Sequence, residues 1–185
     1  GLSVGCDDYA AGYEATRHLI SLGRRAIAFL GSASDHYPEF FARYRGYCDA
    51  LRDAGLPATP ELQADAISAL PEGERAARQI IAGGTPFDAI FAASDLIAIG
   101  ALGVLRDHGL AVPKDVSIFG FDDIPPASMV TPPLTTMRQD TQMAGEVLVE
   151  TLLKLMRGEA AEATVLPCKL VVRRSCGAAD AQELR

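Results

Sequence analysis

Apolar residues in this chain fall into two kinds of run. Short unbroken stretches, Ala26–Leu30, Phe87–Ala93 and Val116–Phe121, show no polar alternation. That is the pattern of strands buried on both faces of a sheet. Between them lie longer segments with helical spacing, bounded by capping residues, prolines and glycines. The spacing predicts helices over 8–22, capped by Asp7 or Asp8 and stopped by Gly23, and over 38–54, ending at Gly55. Further helices are predicted over 71–83, opened by Pro71, over 96–108, introduced by Ser94-Asp95, and over 140–157, ending at Gly158. A weaker strand is expected at Leu62–Ile67 and a last extended segment at Val165–Arg174. Ile124–Leu134 reads as irregular, and the small, polar tail 177–185 as frayed.

Strands that alternate with helices define an α/β fold with a mainly parallel sheet. Helix 96–108 is apolar almost all round, so it belongs either deep in the core or at a subunit interface.

Composition narrows the function classes. The chain has 185 residues, of which 49% are hydrophobic, enough for a sizeable core without staples. No run of apolar residues is long enough for a transmembrane helix, so no membrane partner is expected. A net charge of -7 without a basic block makes the chain a poor nucleic-acid binder by itself. Gly1 to Asp8 carry neither an initiator Met nor a basic segment, so no signal peptide is expected and the chain reads as part of a longer protein. Cys6, Cys48, Cys168 and Cys176 match no zinc or redox spacing and read as free thiols in a reducing cytoplasm.

In open parallel sheets, ligands bind beyond the carboxyl ends of the strands. Here those ends are Gly31-Ser32-Ala33-Ser34, Ser94-Asp95 and Asp122-Asp123. Carboxylates and hydroxyls converging there suit a hydroxyl-rich ligand such as a sugar or nucleoside. Each residue also has a duller reading. Asp95 can cap a helix, Asp122 or Asp123 can fix a loop through an Asx-turn, and Arg43 can be solvated at the edge of an aromatic helix. No phosphate-cradling G-x-x-x-x-G-K-S/T or G-x-G-x-x-G follows a strand, and H-E-x-x-H and G-x-S-x-G are absent. Nothing asks for an enzyme, a cofactor or a metal.

Seven stretches, in order, resemble the effector-binding core of the LacI/GalR transcriptional regulators. Asp7–Gly12 with His18–Gly23, Ala26–Gly31 and Arg43-Tyr-Arg-Gly-Tyr47 are similar to its first helix, strand and R-x-x-G-aromatic helix. Phe87–Gly100 (FDAIFAASDLIAIG), Gly109–Asp123 (GLAVPKDVSIFGFDD), Pro132–Asp140 (PPLTTMRQD) and Leu170–Cys176 (LVVRRSC) are similar to its later segments. The resemblance implies a periplasmic-binding-protein type I fold, two α/β lobes joined by three crossing strands with an effector between them. Residues 24–134 and 164–175 would form the C-terminal lobe. Residues 1–23 and 135–163 would be remnants of the N-terminal lobe and the crossovers, leaving helices 8–22 and 140–157 with uncovered apolar surface. Asp7, Arg43, Ser94 and Asp122 would contact the effector, while Asp95 stays mainly a cap. Leu96, Ile97, Ile99, Leu102 and Met129 would serve a homodimer interface. Operator DNA would be read only by a helix-turn-helix outside this chain, under allosteric control by the effector. A periplasmic sugar-binding protein of a transport system shares this fold and is the competing reading.

Overall fold

A computed structural model describes residues 4–160 and 163–178. The elements follow in the order β1 (Val4–Cys6), α1 (Asp8–Ser21), β2 (Ile27–Leu30), α2 (Pro38–Asp53), β3 (Gln63–Ala64), α3 (Leu70–Gly83) and β4 (Ala89–Ala92). They continue with α4 (Asp95–Asp107), β5 (Ser117–Phe119), β6 (Thr136–Arg138), α5 (Thr141–Met156), β7 (Thr164–Leu166) and β8 (Lys169–Val171). The tail expected to fray lies outside the described residues from 179 onward.

β3, β2, β4 and β5 form a parallel sheet in that order, with the apolar runs supplying β2, β4 and β5 and the weaker segment supplying β3. β2, β4 and β5 are buried along their whole length. Phe29, Phe91 and Phe119 stack edge to face across them. The predicted final segment Val165–Arg174 divides into two strands. β7 pairs parallel with β1, and β8 pairs antiparallel with β6. Pro167 separates them, because it has no N–H to continue a ladder.

Helices pack in two pairs, each through a glycine contact. Where α1 crosses α2, a Cβ on Gly12 would lie 2.4 Å from the backbone oxygen of Arg43, and one on Gly46 2.3 Å from that of Tyr9. Where α3 crosses α4, a Cβ on Gly73 would meet Ile97 O at 2.2 Å and one on Gly100 would meet Leu70 O at 2.3 Å. Only hydrogen fits between backbones this close.

Four expectations are corrected. First, α1 does not stand apart with α5. It packs against α2, and Ala11, Ala15 and Leu19 lie in the same core as the four-stranded sheet, so its apolar face is covered. α5 does expose its apolar face, with Leu152 at 57% and Met156 at 76% of full exposure. Second, Cys6 and Cys168 are bonded as a disulfide, with Cα atoms 6.0 Å apart. The spacing rules missed this pair because tertiary structure brings together residues that are remote in sequence. Cys48 and Cys176 are free. Third, Ile97 faces the core and is fully buried, so it cannot take part in an interface. Leu96, Ile99 and Leu102 are half-buried and Met129 is exposed. Fourth, Asp95 does not cap α4. Ser94 does, its hydroxyl accepting from Ile97 N–H at 3.3 Å.

Among the described residues, no helix is long and apolar enough to cross a membrane.

Candidate functional site

The carboxyl ends of β2, β4 and β5 lie side by side because the strands are parallel and in register, Ile27 against Ala89 and Ala89 against Ser117. α2 begins with an aromatic turn beside this edge and delivers Arg43 to it. Arg43 is only 4% exposed. Its guanidinium is held on all sides. Nε and Nη2 donate to Asp8 Oδ1, each at 2.8 Å. Nη1 donates to the carbonyl of Ala93, just beyond β4, at 2.6 Å. The plane lies 3.6 Å from the centre of the Phe121 ring and 5.4 Å from that of Phe40. A solvated surface arginine has none of these contacts. This one is a fixed, planar donor set.

Asp122 follows Phe121 at φ 105°, and Asp123 follows at φ 56°. Two successive left-handed non-glycine residues are costly and persist only where the surroundings hold them. The surroundings do so from several directions. The amide of Asp122 donates to Met137 O at 2.9 Å. Asp123 accepts from Arg138 at 2.6 Å and Arg173 at 2.7 Å. Burial pushes Asp123 up, but the two arginines outweigh it and hold its carboxyl below the usual range.

Asp95 bolts the same turn from beneath. Its Oδ1 accepts from Thr136 Oγ1 at 2.7 Å and its Oδ2 from Ile124 N–H at 2.9 Å. Burial pushes this carboxyl up to about 6 despite those bonds. Gly120 is required above it, since a Cβ there would lie 2.2 Å from Asp95 Oδ1.

With Asp123 and Asp95 engaged in structure, Asp122 is the carboxylate left at the edge. Among the described residues it accepts only from Gln139 Nε2, at 3.1 Å. Burial raises its pKa, against an opposing pull from Arg43. Asp8 is likewise raised by burial, against Arg43. Ser94 adds a hydroxyl that accepts from Ser68 Oγ at 2.9 Å.

Three of the four predicted contacts, Arg43, Ser94 and Asp122, thus share one edge. Asp7 does not join them. Its carboxylate accepts from Ala10 N–H and caps α1, and it lines a separate hollow with Glu14, Leu166, Pro167 and Cys168. The next residue, Asp8, faces Arg43 instead. Successive positions on a helix point about 100° apart, so one aspartate of the pair caps while the other reaches Arg43. The Asp-Asp doublet was the available signal. Ser68, Gln139 and Phe121 left none, as they sit in a loop, a crossover and a buried strand end.

The assembled groups can orient a polar ligand. Asp122 supplies an exposed acceptor, Ser68 a hydroxyl and Phe40 an apolar face, while the nearly fully buried Arg43, Ser94 and Phe121 back them.

Comparisons with known proteins identify the family. Residues 16–176 match the family described as "Periplasmic binding protein-like domain". This chain belongs to that family. Within it, the relatives are LacI-type transcriptional regulators. The chain is 36% identical over 176 residues to the HTH-type transcriptional regulator RegA of Clostridium saccharobutylicum, covering 94% of this chain and 53% of that protein. It superimposes on the solved structure of a transcriptional regulator CelR–cellobiose complex with a TM-score of 0.87 and 34% identity, over 94% of this chain and 54% of the other. It superimposes on a sugar-binding LacI-family regulator from Escherichia coli complexed with phosphate, with a TM-score of 0.86 and 30% identity, over 92% of this chain and 61% of that one. The chain spans about half the length of the curated relatives it matches. These relatives are regulators, which favours that reading over a transport protein and over an enzyme.

Proposed function

We propose that this chain is the effector-binding part of a transcriptional regulator and takes a small, hydroxyl-rich ligand, a sugar or nucleoside, at the edge formed by Arg43, Ser94 and Asp122. The observation that carries this reading is the fixed guanidinium of Arg43, stacked on Phe121 beside a carboxylate held at positive φ. The cellobiose complex of a similar regulator supports a sugar. The β2–β5 sheet with α1–α4 forms one lobe, and α5 with β1 and β7 belongs to the other. Effector bound between them favours one lobe arrangement, and that differential affinity shifts the population able to grip an operator. Operator reading belongs to a helix-turn-helix outside this chain. Two copies associate through α4, with Leu96, Ile99, Leu102 and Met129 at the contact. Ile99 and Leu102 line a hollow of about 760 Å³ there, with Leu110, Val112 and Val130. The site binds without turning over its ligand, requires no cofactor, and operates in the cytoplasm.

Thermal unfolding tests this, on the chain and on a form extended to the length of its relatives. Cellobiose, pentoses, hexoses, nucleosides and sugar phosphates serve as ligands. A binder present at about 100 times its Kd should stabilise by about 2.7 kcal/mol. The response should vanish in Asp122→Ala, which removes the carboxylate that accepts from Gln139 Nε2 and lies near Arg43. A response that survives Asp122→Ala and Arg43→Ala would place the site elsewhere.

A further inference from the structure

The Cys6–Cys168 bond lies outside this cleft. Cys6 ends β1, and Cys168 sits between β7 and β8, 162 residues later in the chain. β1 and β7 pair over only three residues, Val4–Cys6 against Thr164–Leu166. One more backbone bond follows, from Asp7 N–H to Leu166 O at 3.1 Å. The ladder then stops at Pro167, which has no amide hydrogen. The sulfur bridge ties the two segments where the backbone can no longer do so.

The tie lies at the margin of the core. The buried core is drawn mainly from α1–α4 and the four-stranded sheet, and both bridged cysteines border it, half-buried. The remaining cysteines are poor competitors in exchange. Cys176 is 1% exposed and receives the Thr135 hydroxyl at 3.1 Å. Cys48 is half-buried, and burial holds its thiol protonated. Thiolate character and access decide which cysteine reacts. Burial excludes Cys176, and among the half-buried cysteines only Cys6 and Cys168 stand together, with Cα atoms 6.0 Å apart.

We propose that Cys6 and Cys168 form a reversible thiol–disulfide exchange site, whose oxidant is a small-molecule disulfide such as oxidised glutathione, and that its state sets how tightly the β1–α1 and β7–β8 crossings are joined. Starting from the dithiol, one cysteine loses its proton and its thiolate attacks a sulfur of glutathione disulfide. The old S–S bond breaks, one glutathione thiolate leaves, and a mixed disulfide remains. The second cysteine, deprotonated in turn, attacks the protein sulfur of that mixed bond and expels the second glutathione. Two electrons and two protons pass from the protein to the small disulfide, which departs as two thiols. Excess glutathione reverses each step.

The bridge is well placed to influence the cleft. Asp8, two residues after Cys6, holds Arg43. Lys169, next to Cys168, pairs at 3.4 Å with Asp140, the cap of α5. This consequence rests on the proposed function; the exchange itself does not.

The test equilibrates the folded protein in glutathione buffers of stepped ratio, quenches with acid, unfolds, alkylates with N-ethylmaleimide and reads intact mass and peptides. Two alkylated cysteines, Cys48 and Cys176, are expected at the oxidised end and four at the reduced end, in a single two-electron transition. Cys6→Ser and Cys168→Ser should each lose that paired transition while keeping the native circular-dichroism spectrum. Hydrogen exchange should quicken at Gly5, Cys6, Val165 and Leu166 on reduction, with β2 and β4 unchanged. Four alkylated cysteines at the oxidised end, or two that persist in excess reduced glutathione, would overturn the proposal. So would serine variants that fail to fold, since the bond would then be a structural staple. Cellobiose-induced stabilisation, compared between oxidised and reduced protein, separates the two readings. Its absence from both forms counts against the proposed ligand and leaves the thiol titration to stand or fall by itself.

Discussion

α1 and α5 both leave a crossing strand and are opened by an aspartate cap, Asp7 and Asp140. Their outcomes are opposite. α1 buries Ala11, Gly12, Ala15, Thr16 and Leu19 against α2 and the sheet, whereas α5 buries Thr151 alone among its residues. Hydrophobicity does not explain the difference, because α5 is the richer helix in leucine. Complementarity does. Gly12 in α1 meets Gly46 in α2 and lets two backbones touch, while Gly145 in α5 has nothing within 4 Å of where a Cβ would stand. A helix is covered when a surface of matching shape exists for it within the chain, whatever the strength of its apolar stripe.

The sharpest way to break this comparison is to fill the α1–α2 contact. Gly46→Ala would drive a methyl into the backbone of Tyr9 and Tyr13. Neither neighbour is the movable end of a side chain, so the cost should reach about 3 kcal/mol or more, at the upper end for overpacking. Urea unfolding measures it, and a midpoint equal to that of the unaltered protein would refute the close crossing.

A somewhat smaller effect is expected at Asp95, on the packed side of the molecule. Its folded pKa, about 6, lies above the ordinary value of 3.8. The folded state therefore binds more protons than the unfolded one between these values, and stability falls as pH rises from about 4 to about 6. At about 1.4 kcal/mol per unit, the loss is roughly 2–3 kcal/mol. In Asp95→Asn, the amide oxygen can still accept from Ile124 N–H and the amide NH2 can donate to Thr136 Oγ1. The variant should lose this slope. Denaturation midpoints taken across that pH range give the answer, and a slope that persists in the asparagine variant would assign it to other groups.

At the exposed helix the same glycine-to-alanine change should act with the opposite sign. Gly145→Ala should raise stability by up to about 1 kcal/mol, the difference in helix propensity between the two residues. Thermal unfolding followed by circular dichroism reads this, and a loss of stability would mean that a surface already covers α5. The smallest effect on unfolding belongs to Leu152→Glu on the exposed face. It should leave the midpoint within about 0.5 kcal/mol, as surface changes do, and should lower self-association in sedimentation. A large destabilisation would show Leu152 to be buried in solution.

Much of the fold was legible because its signals are local. Unbroken apolar runs marked β2, β4 and β5, and glycines marked the helix ends, since Gly23, Gly55, Gly84, Gly109 and Gly158 all adopt the positive φ that stops a helix. Of the site, Arg43, Ser94 and Asp122 were legible through strand ends and motif resemblance. Asp8 was hidden beside Asp7, because the capping position and the one that pairs with Arg43 differ by one residue. Asp95 and Asp123 resembled ligand groups. Only their partners, Thr136 and Ile124 for one, Arg138 and Arg173 for the other, show that their bonds hold the turn.

The sequence by itself determined the α/β order, the parallel sheet, the edge where polar residues gather and the family to which the chain belongs. Periodicity, caps and strand ends are properties of neighbouring residues. Tertiary structure alone decided that α1 is covered and α5 is not, that Ile97 is core, that Cys6 finds Cys168, and which partner each aspartate of a pair meets. Each of these depends on groups far apart in the chain meeting at van der Waals or hydrogen-bond distance, and no local pattern encodes which distant partner will arrive.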